Sequence, residues 1–193
     1  AWYLLRNRSR GMFSYLLKLS LGMFIAMSLL QFLSGHSHAV QVAHLQPEKM
    51  AAFEALWKTT EGAPMSLFGI PDQDKNETYM EVRVPKLLSF MIFFNPDAQV
   101  KGRDAFPSDE QPPVLIPYSA YHVMIGLGSL FALTALISLV LFVRKRLDST
   151  SWFLHALVFM TPLPLIANEA GWIAAEVGRQ PWAVYRVLRT QHA

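Results

Sequence analysis

PYSAYHVMIGLGSLFALTALISLVLFVRKR, residues 117–146, is the stretch on which the fold turns. From Pro117 to Val143 no Asp, Glu, Lys or Arg interrupts the run, and Arg144, Lys145 and Arg146 close it. About 20 apolar residues let a helix cross the hydrocarbon core of a bilayer, so this run is long enough to span. Two further runs, 12–33 and 152–177, share its character, and between the first pair lies 34–116, rich in Pro, Asp, Glu and Lys. The overall 52% of hydrophobic residues therefore averages two unlike kinds of segment. The pattern predicts an all-α integral membrane protein, a bundle of transmembrane helices with an external loop carrying a short amphipathic helix.

Basic residues orient the bundle. Arg6, Arg8 and Arg10 precede the first span and Arg144–Arg146 follow the second, so both clusters face the cytoplasm. The expected order is 1–11, the end of a preceding helix and a cytoplasmic basic turn; 12–33, transmembrane; 34–116, external; 117–143, transmembrane; 144–151, a cytoplasmic basic loop; 152–177, transmembrane; and 178–193, external. The run 12–33 is too long for the core of a signal peptide, and no small-residue cleavage site follows it. Ala1–Leu5 is too short to span anything, so the chain is expected to be a piece of a longer polytopic protein. Absence of cysteine excludes disulfides and thiolate metal sites. Basic clusters beside spans are topology signals, and no nucleic-acid partner is expected.

Within the external segment, QPEKMAAFEALWK (46–58) reads as a short amphipathic helix. Pro47 suits a first turn, Met50, Phe53 and Trp57 form a stripe, and Glu54 and Lys58 sit at i, i+4. Such a stripe is expected to rest on the bilayer or cap the bundle. In SLFGIPDQ (66–73) the Gly and Pro mark turns, and 95–116, with four prolines, reads as an irregular loop. Asn76-Glu77-Thr78 is a glycosylation sequon by pattern alone.

The residue that asks for an explanation is Glu169, set deep in the third run. A charged group at mid-span costs roughly 3 kcal/mol, so it faces a bundle interior and has a task. Glu176 lies seven residues on, on nearly the same helical face and about 10 Å further along, with Trp172 and Ile173 between. Three readings stay open: a proton path, a carboxylate ligand to a metal or haem iron, and a structural pair with another helix. Met124 is flanked at i±4 by Ala120 and Gly128, which leaves a flat strip around a thioether. That strip would suit a macrocycle with sulfur as axial ligand, and equally well plain helix packing. His122 points to another face. His36 and His38 read as a solvated boundary, His155 as a satisfied polar group, and Lys18 as a snorkelling side chain. No Walker loop, GxGxxG, HExxH or CxxC is present, so any chemistry depends on a bound cofactor or on charges within the membrane.

Four segments, QPEKMAAFEALW (46–57), SLFGIPDQ (66–73), YHVMIGLG (121–128) and NEAGWIAAEVGRQPW (168–182), occur in an order that closely resembles subunit I of cytochrome bd-type quinol oxidases, including cyanide-insensitive relatives. The resemblance extends over essentially the whole chain and covers the C-terminal part of that subunit, with a short external loop. It implies that Met124 is an axial ligand of the low-spin haem b. It also implies that Glu169 ligates one high-spin haem, a second haem b or the haem d (or b-type substitute) of the oxygen site. Lys49 and Glu54 match residues of quinol binding and oxidation, and Arg179 and Trp182 would lie near the haems. Glu176 belongs to the same motif without an assigned role. His122 and Leu165 stand where some members carry Arg and Trp, which bears on haem potentials.

The function so implied is that of a haem-bearing subunit of a respiratory terminal oxidase. It would oxidise quinol at the outer face, reduce oxygen to water and contribute to protonmotive force. Implied partners are subunit II, a small accessory subunit, membrane lipid and quinol. The implied location is the bacterial inner membrane, multi-pass, with 34–116 and the C-terminal end periplasmic. The family's His ligands and proton-channel carboxylates lie on earlier helices, so this stretch is not expected to hold the full haem set. The alternatives are a secondary transporter or proton-translocating bundle relaying protons through Glu169 and Glu176, and a non-catalytic packing subunit. A transporter has no need of an external Lys/Glu helix, which favours the oxidase.

Overall fold

Proline placement decides where the helices stop. A computed structural model describes residues 1–6 and 9–193, so Arg8, one of the expected inner-side charges, lies outside the described residues. After a first turn of helix, α1 (Trp2–Leu5), the 36-residue α2 runs from Arg10 to Leu45. It continues twelve residues past the expected end at 33. Nothing in GHSHAVQVAHL breaks a helix until Pro47, which pushes Gln46 to φ −137°. At 1.5 Å per residue α2 is about 54 Å long, well beyond a bilayer's hydrocarbon core.

Pro47 then opens α3 (Pro47–Phe53), which is shorter than the sequence suggests. Ala55 takes a left-handed φ of +46°, Leu56 N–H returns to Ala51 O at 2.8 Å and Ala55 N–H to Ala52 O at 3.4 Å. This is a Schellman ending with alanine in glycine's customary place, so composition gave no warning of it. Trp57 and Lys58 therefore lie past the helix, and no Glu54–Lys58 pair forms on it. Met50 and Phe53, expected to rest on the bilayer or to cap the bundle, are buried at 3% and 7% exposure, so of the two only packing against protein fits them.

The polar segment also contains strands where loops were expected. β1 (Thr60–Glu61) pairs antiparallel with β4 (Gln99–Val100), and β2 (Met65–Asp72) with β3 (Glu77–Val84). Gly69 and Pro71 stand inside β2, and the turn falls at 73–76, where Asn76 holds φ +53°. Glycine is required at 69 by close approach, since a Cβ there would meet the Thr78 methyl at 2.6 Å and the Tyr118 hydroxyl at 2.9 Å. A short helix, α4 (Leu87–Phe93), follows β3.

α5 (Leu115–Val143) is one continuous helix over the residues of the expected second span. The expected single helix 152–177 is two, α6 (Ser151–Phe159) and α7 (Leu163–Val177), bent by 41° at Met160–Pro162. Pro162 and Pro164 lack the N–H groups that a continuous ladder needs; Thr161 N–H shifts to Val158 O at 3.3 Å, and its hydroxyl takes Leu157 O, also at 3.3 Å. α2 and α5 are long and apolar enough to cross a membrane, and the bent pair makes a third span if counted as one. A small hairpin, β5 (Trp182–Val184) and β6 (Leu188–Arg189), closes the chain.

By their contacts the described residues form two units, 1–35 with 125–168 and 36–124 with 169–193. The first has a core of Leu4, Leu17, Leu21, Leu147, Phe153 and Leu154. Asp148 there accepts from Ser14 Oγ at 2.7 Å and lies 3.5 Å from Lys18 Nζ, which accounts for Lys18 better than snorkelling to lipid headgroups. The second gathers Met50, Leu56, Ala63, Leu88, Ile92 and Val100 in one cluster and Ala55, Val114 and Tyr118 in another. The architecture is mainly helical, as expected, with strands confined to the second unit.

Candidate functional site

The end of α3 delivers Glu54 into the second unit's interior, where it is 3% exposed. Its Oε2 accepts from the Ser66 backbone N–H at 3.0 Å, and its Oε1 has no hydrogen-bond partner. Burial raises the acid from its ordinary 4.5 to about 7, opposed by the Ser66 N–H, the neighbouring Tyr121 phenol and Arg83, and assisted by Glu81. Tyr121 lies beside the carboxyl without closing a hydrogen bond to Oε1, and its ring stacks on Phe53 at 4.7 Å. Around this acid, Ser66 Oγ meets the Tyr118 hydroxyl at 2.7 Å. His122, expected at a cofactor, has Nδ1 at Tyr118 O (2.8 Å) and Nε2 at Ser66 O (2.9 Å) and stacks on Tyr118 at 4.0 Å. Both of its nitrogens thus face backbone carbonyls near Glu54, and a neutral ring donates to one of them.

Lys49, one turn earlier, reaches the other way. Its Nζ donates to Ala175 O at 3.0 Å, one of the carbonyls left over at the end of α7. Burial lowers its pKa, the charge of Arg179 lowers it further, and Glu176 raises it. Arg179 is itself paired with Glu176 at 2.6 Å. The close fit of α3 on α7 explains Gly178, where a Cβ would meet Ala174 O at 2.6 Å and the Phe53 ring at 2.7 Å. Lys49, Arg179 and Trp182 line one small cavity with Glu48 and Tyr185, and Glu54 does not line it. Trp182 Nε1 is buried without a partner, and Arg189 lies over its ring at 5.2 Å. A larger cleft of about 180 Å³, lined by His44, Met50, Phe93 and Lys101 among others, holds none of the expected site residues.

Met124 on α5 and the EAGW turn of α7 meet directly. A Cβ on Gly171 would lie 2.8 Å from Met124 Sδ, so the thioether rests on bare backbone. On α7, Ala170, Ala174 and Gly178 form the packed side. Glu169, Glu176 and the exposed Leu165, Trp172 and Ile173 occupy the other, which no described residue covers. Glu176 is held by Arg179, whereas Glu169 has neither hydrogen bond nor ion pair among the described residues. Among those residues there is also no cluster of three His, Asp or Glu able to bind a bare metal ion. A haem makes no such demand, because it brings its own in-plane nitrogens and asks the chain only for an axial donor. A soft thioether on α5 and an unengaged carboxylate on α7 are donors of suitable kinds.

Sequence reasoning missed Glu48, Ser66, Tyr118, Tyr121, Tyr185 and Arg186. Glu48, Ser66, Tyr118 and Tyr121 lay inside quoted stretches without being singled out, while Tyr185 and Arg186 join the site only through the terminal hairpin.

A helical membrane chain whose polar segment encloses an acid titrating near neutrality is the class these features define. The chain belongs to the cytochrome bd terminal oxidase subunit I family, whose pattern matches residues 1–193. It is similar to the cytochrome bd ubiquinol oxidase subunit 1 of Bacillus subtilis (strain 168), 32% identical over 200 positions that cover 98% of this chain and 43% of that protein. Cytochrome bd-II ubiquinol oxidase subunit 1 of Escherichia coli (strain K12) is 29% identical over 261 positions, covering 100% of this chain and 50% of that one. The solved structure of bd oxidase from Geobacillus thermodenitrificans superposes with a TM-score of 0.88 at 33% identity, over 97% of this chain and 43% of that one. The chain thus spans half or less of the length of these relatives.

Proposed function

We propose that this chain supplies the quinol-oxidising loop and two haem ligands of a bd-type quinol:oxygen oxidoreductase, working with subunit II and a small accessory subunit in the bacterial inner membrane. Glu54 carries the proposal. A carboxylate with one oxygen fixed by a backbone N–H and the other buried and unpartnered is suited to accept a hydrogen bond from a quinol hydroxyl. With a pKa of about 7 it also takes that proton at physiological pH and gives it up again. Lys49 orients the second quinol oxygen after exchanging its hold on Ala175 O for the substrate. Two protons and two electrons leave each quinol as it becomes quinone. The protons pass to the external side through Glu54.

Met124 is assigned to the low-spin haem b and Glu169 to a high-spin haem, of b or d type. Held there, the haems would supply the electron transfer by which oxygen is reduced to water. Arg179 and Trp182 border that region, with Arg179 fixed by Glu176. Release of quinol protons outside, with oxygen reduced by protons from inside, contributes to protonmotive force. In this topology 34–116 and the C-terminal end are periplasmic.

The test uses the full-length protein in membranes of a host lacking its own bd oxidase. Reduced-minus-oxidised spectra are expected to show haem bands, and Glu54→Ala is expected to abolish quinol oxidation while leaving those bands in place. Normal quinol turnover in Glu54→Ala would remove the loop assignment. Absence of haem bands would bring back the proton-relay reading of Glu169 and Glu176.

A further inference from the structure

The second acid of α3 has no part in that proposal. Glu48 is 3% exposed, and a carboxylate so deeply placed has to be paired to remain charged. Its partners arrive from the terminal hairpin, 137 and 138 positions further along the chain. The Tyr185 hydroxyl donates towards Oε2 at 2.8 Å and lies 3.0 Å from Oε1, and Arg186 Nη2 donates to Oε1 at 2.9 Å. Burial first, then the bond to Glu48, pushes the Tyr185 phenol up to about 12, so it stays a donor throughout the working pH range.

Arg186 sits where its backbone would prefer a glycine. Its φ is +56°, in the turn that Val187 N–H closes onto Val184 O at 2.9 Å. An arginine in the left-handed region costs free energy that a glycine would not, so a compensating interaction is called for. The guanidinium on Glu48 is that interaction. It also serves a neighbour: Glu48 directly precedes Lys49, and a helix of seven residues has little stability of its own to orient what it carries. Beside its buried apolar face, two polar anchors place α3, namely Lys49 Nζ on Ala175 O and Glu48 on the hairpin, and only the second persists once Lys49 turns to substrate.

We propose that Tyr185 and Arg186 are positioning residues of the quinol site, acting through Glu48 to hold α3 so that Lys49 and Glu54 keep their places. The inference rests on the reading of Lys49 and Glu54 as quinol-handling residues.

The test measures steady-state oxidation of a short-chain quinol by the full-length oxidase in membranes. Arg186→Gly relaxes the backbone yet is expected to raise KM about tenfold, near the lower end of what one lost charge-assisted hydrogen bond is worth, with kcat and haem spectra nearly unchanged. Tyr185→Phe moves KM in the same direction, and Arg186→Lys restores most of the loss. Glu48→Gln reproduces the defect, and adding Arg186→Gly to it adds nothing, as required of residues acting through one carboxylate. An unmoved KM in Arg186→Gly, additive effects in the double variant, or loss of the haem bands would each overturn the inference. Lys49→Ala, run in parallel, separates the two levels. Full turnover there sinks the underlying quinol reading. Loss there, beside an unmoved KM in Arg186→Gly, sinks the positioning role alone.

Discussion

Glu54 divides its two oxygens between jobs, one bonded to Ser66 N–H and one left free, and its titration at about 7 ties stability to activity. Its folded pKa lies above its unfolded value of about 4.5, so its stabilising contribution is complete below that value and disappears as pH rises through 7. The full swing is about 3 kcal/mol. Glu54→Gln cannot ionise and keeps an oxygen for Ser66. Its melting temperature in detergent is expected to exceed the parent's at pH 8 and to converge with it at pH 5. In the parent enzyme quinol oxidation should rise with pH through an apparent pKa near 7, and Glu54→Gln, which cannot take the proton, should be inactive at every pH. At the haems, Met124→Leu is expected to remove the low-spin signal while the protein still inserts. Glu169→Gln should remove a high-spin signal and Glu176→Gln should not, because Arg179 already engages Glu176. The reverse pattern in membrane spectra would move the ligand two turns along α7. These residues were legible in the sequence as motif members. The free oxygen of Glu54 was not, because its burial depends on Ala55 adopting a glycine-like φ of +46°.

Among the elements, uninterrupted apolar runs were the most readable. α5 runs Leu115–Val143 against an expected 117–143, since a run without charge, and with proline only in its first turn, has few other choices. α2 was underestimated because polarity after residue 33 was read as the end of helix, whereas polar residues leave a membrane without leaving a helix. The β2–β3 hairpin was missed because its glycine and proline lie inside a strand and its turn is built on Asn76. Packing of α3 on α7 was out of reach, being a matter of atoms rather than patterns. It predicts that Gly178→Ala, whose methyl would meet a carbonyl oxygen at 2.6 Å, lowers stability by about 1–3 kcal/mol, observable as a fall in melting temperature.

For the molecule as a whole, many large apolar side chains of α2 and α5 stay exposed, among them Leu29 at 64%, Phe32 at 70%, Leu136 at 58% and Phe142 at 53%. On helices long and apolar enough to cross a membrane, lipid is a natural cover for them. The proposed topology places the β2–β3 turn outside, so trypsin added to intact spheroplasts should cut at Lys75 in the 73–76 turn. Cleavage only after lysis would invert the topology. The interruption between α6 and α7 has a consequence of its own. There the ladder is patched by the exposed hydroxyl of Thr161, next to two prolines with nothing to donate. Hydrocarbon offers neither proton nor lone pair to such a seam, so acyl chains are poor company for that flank. Wherever the bent pair crosses a membrane, a flank furnished in this way is better met by protein or water than by lipid.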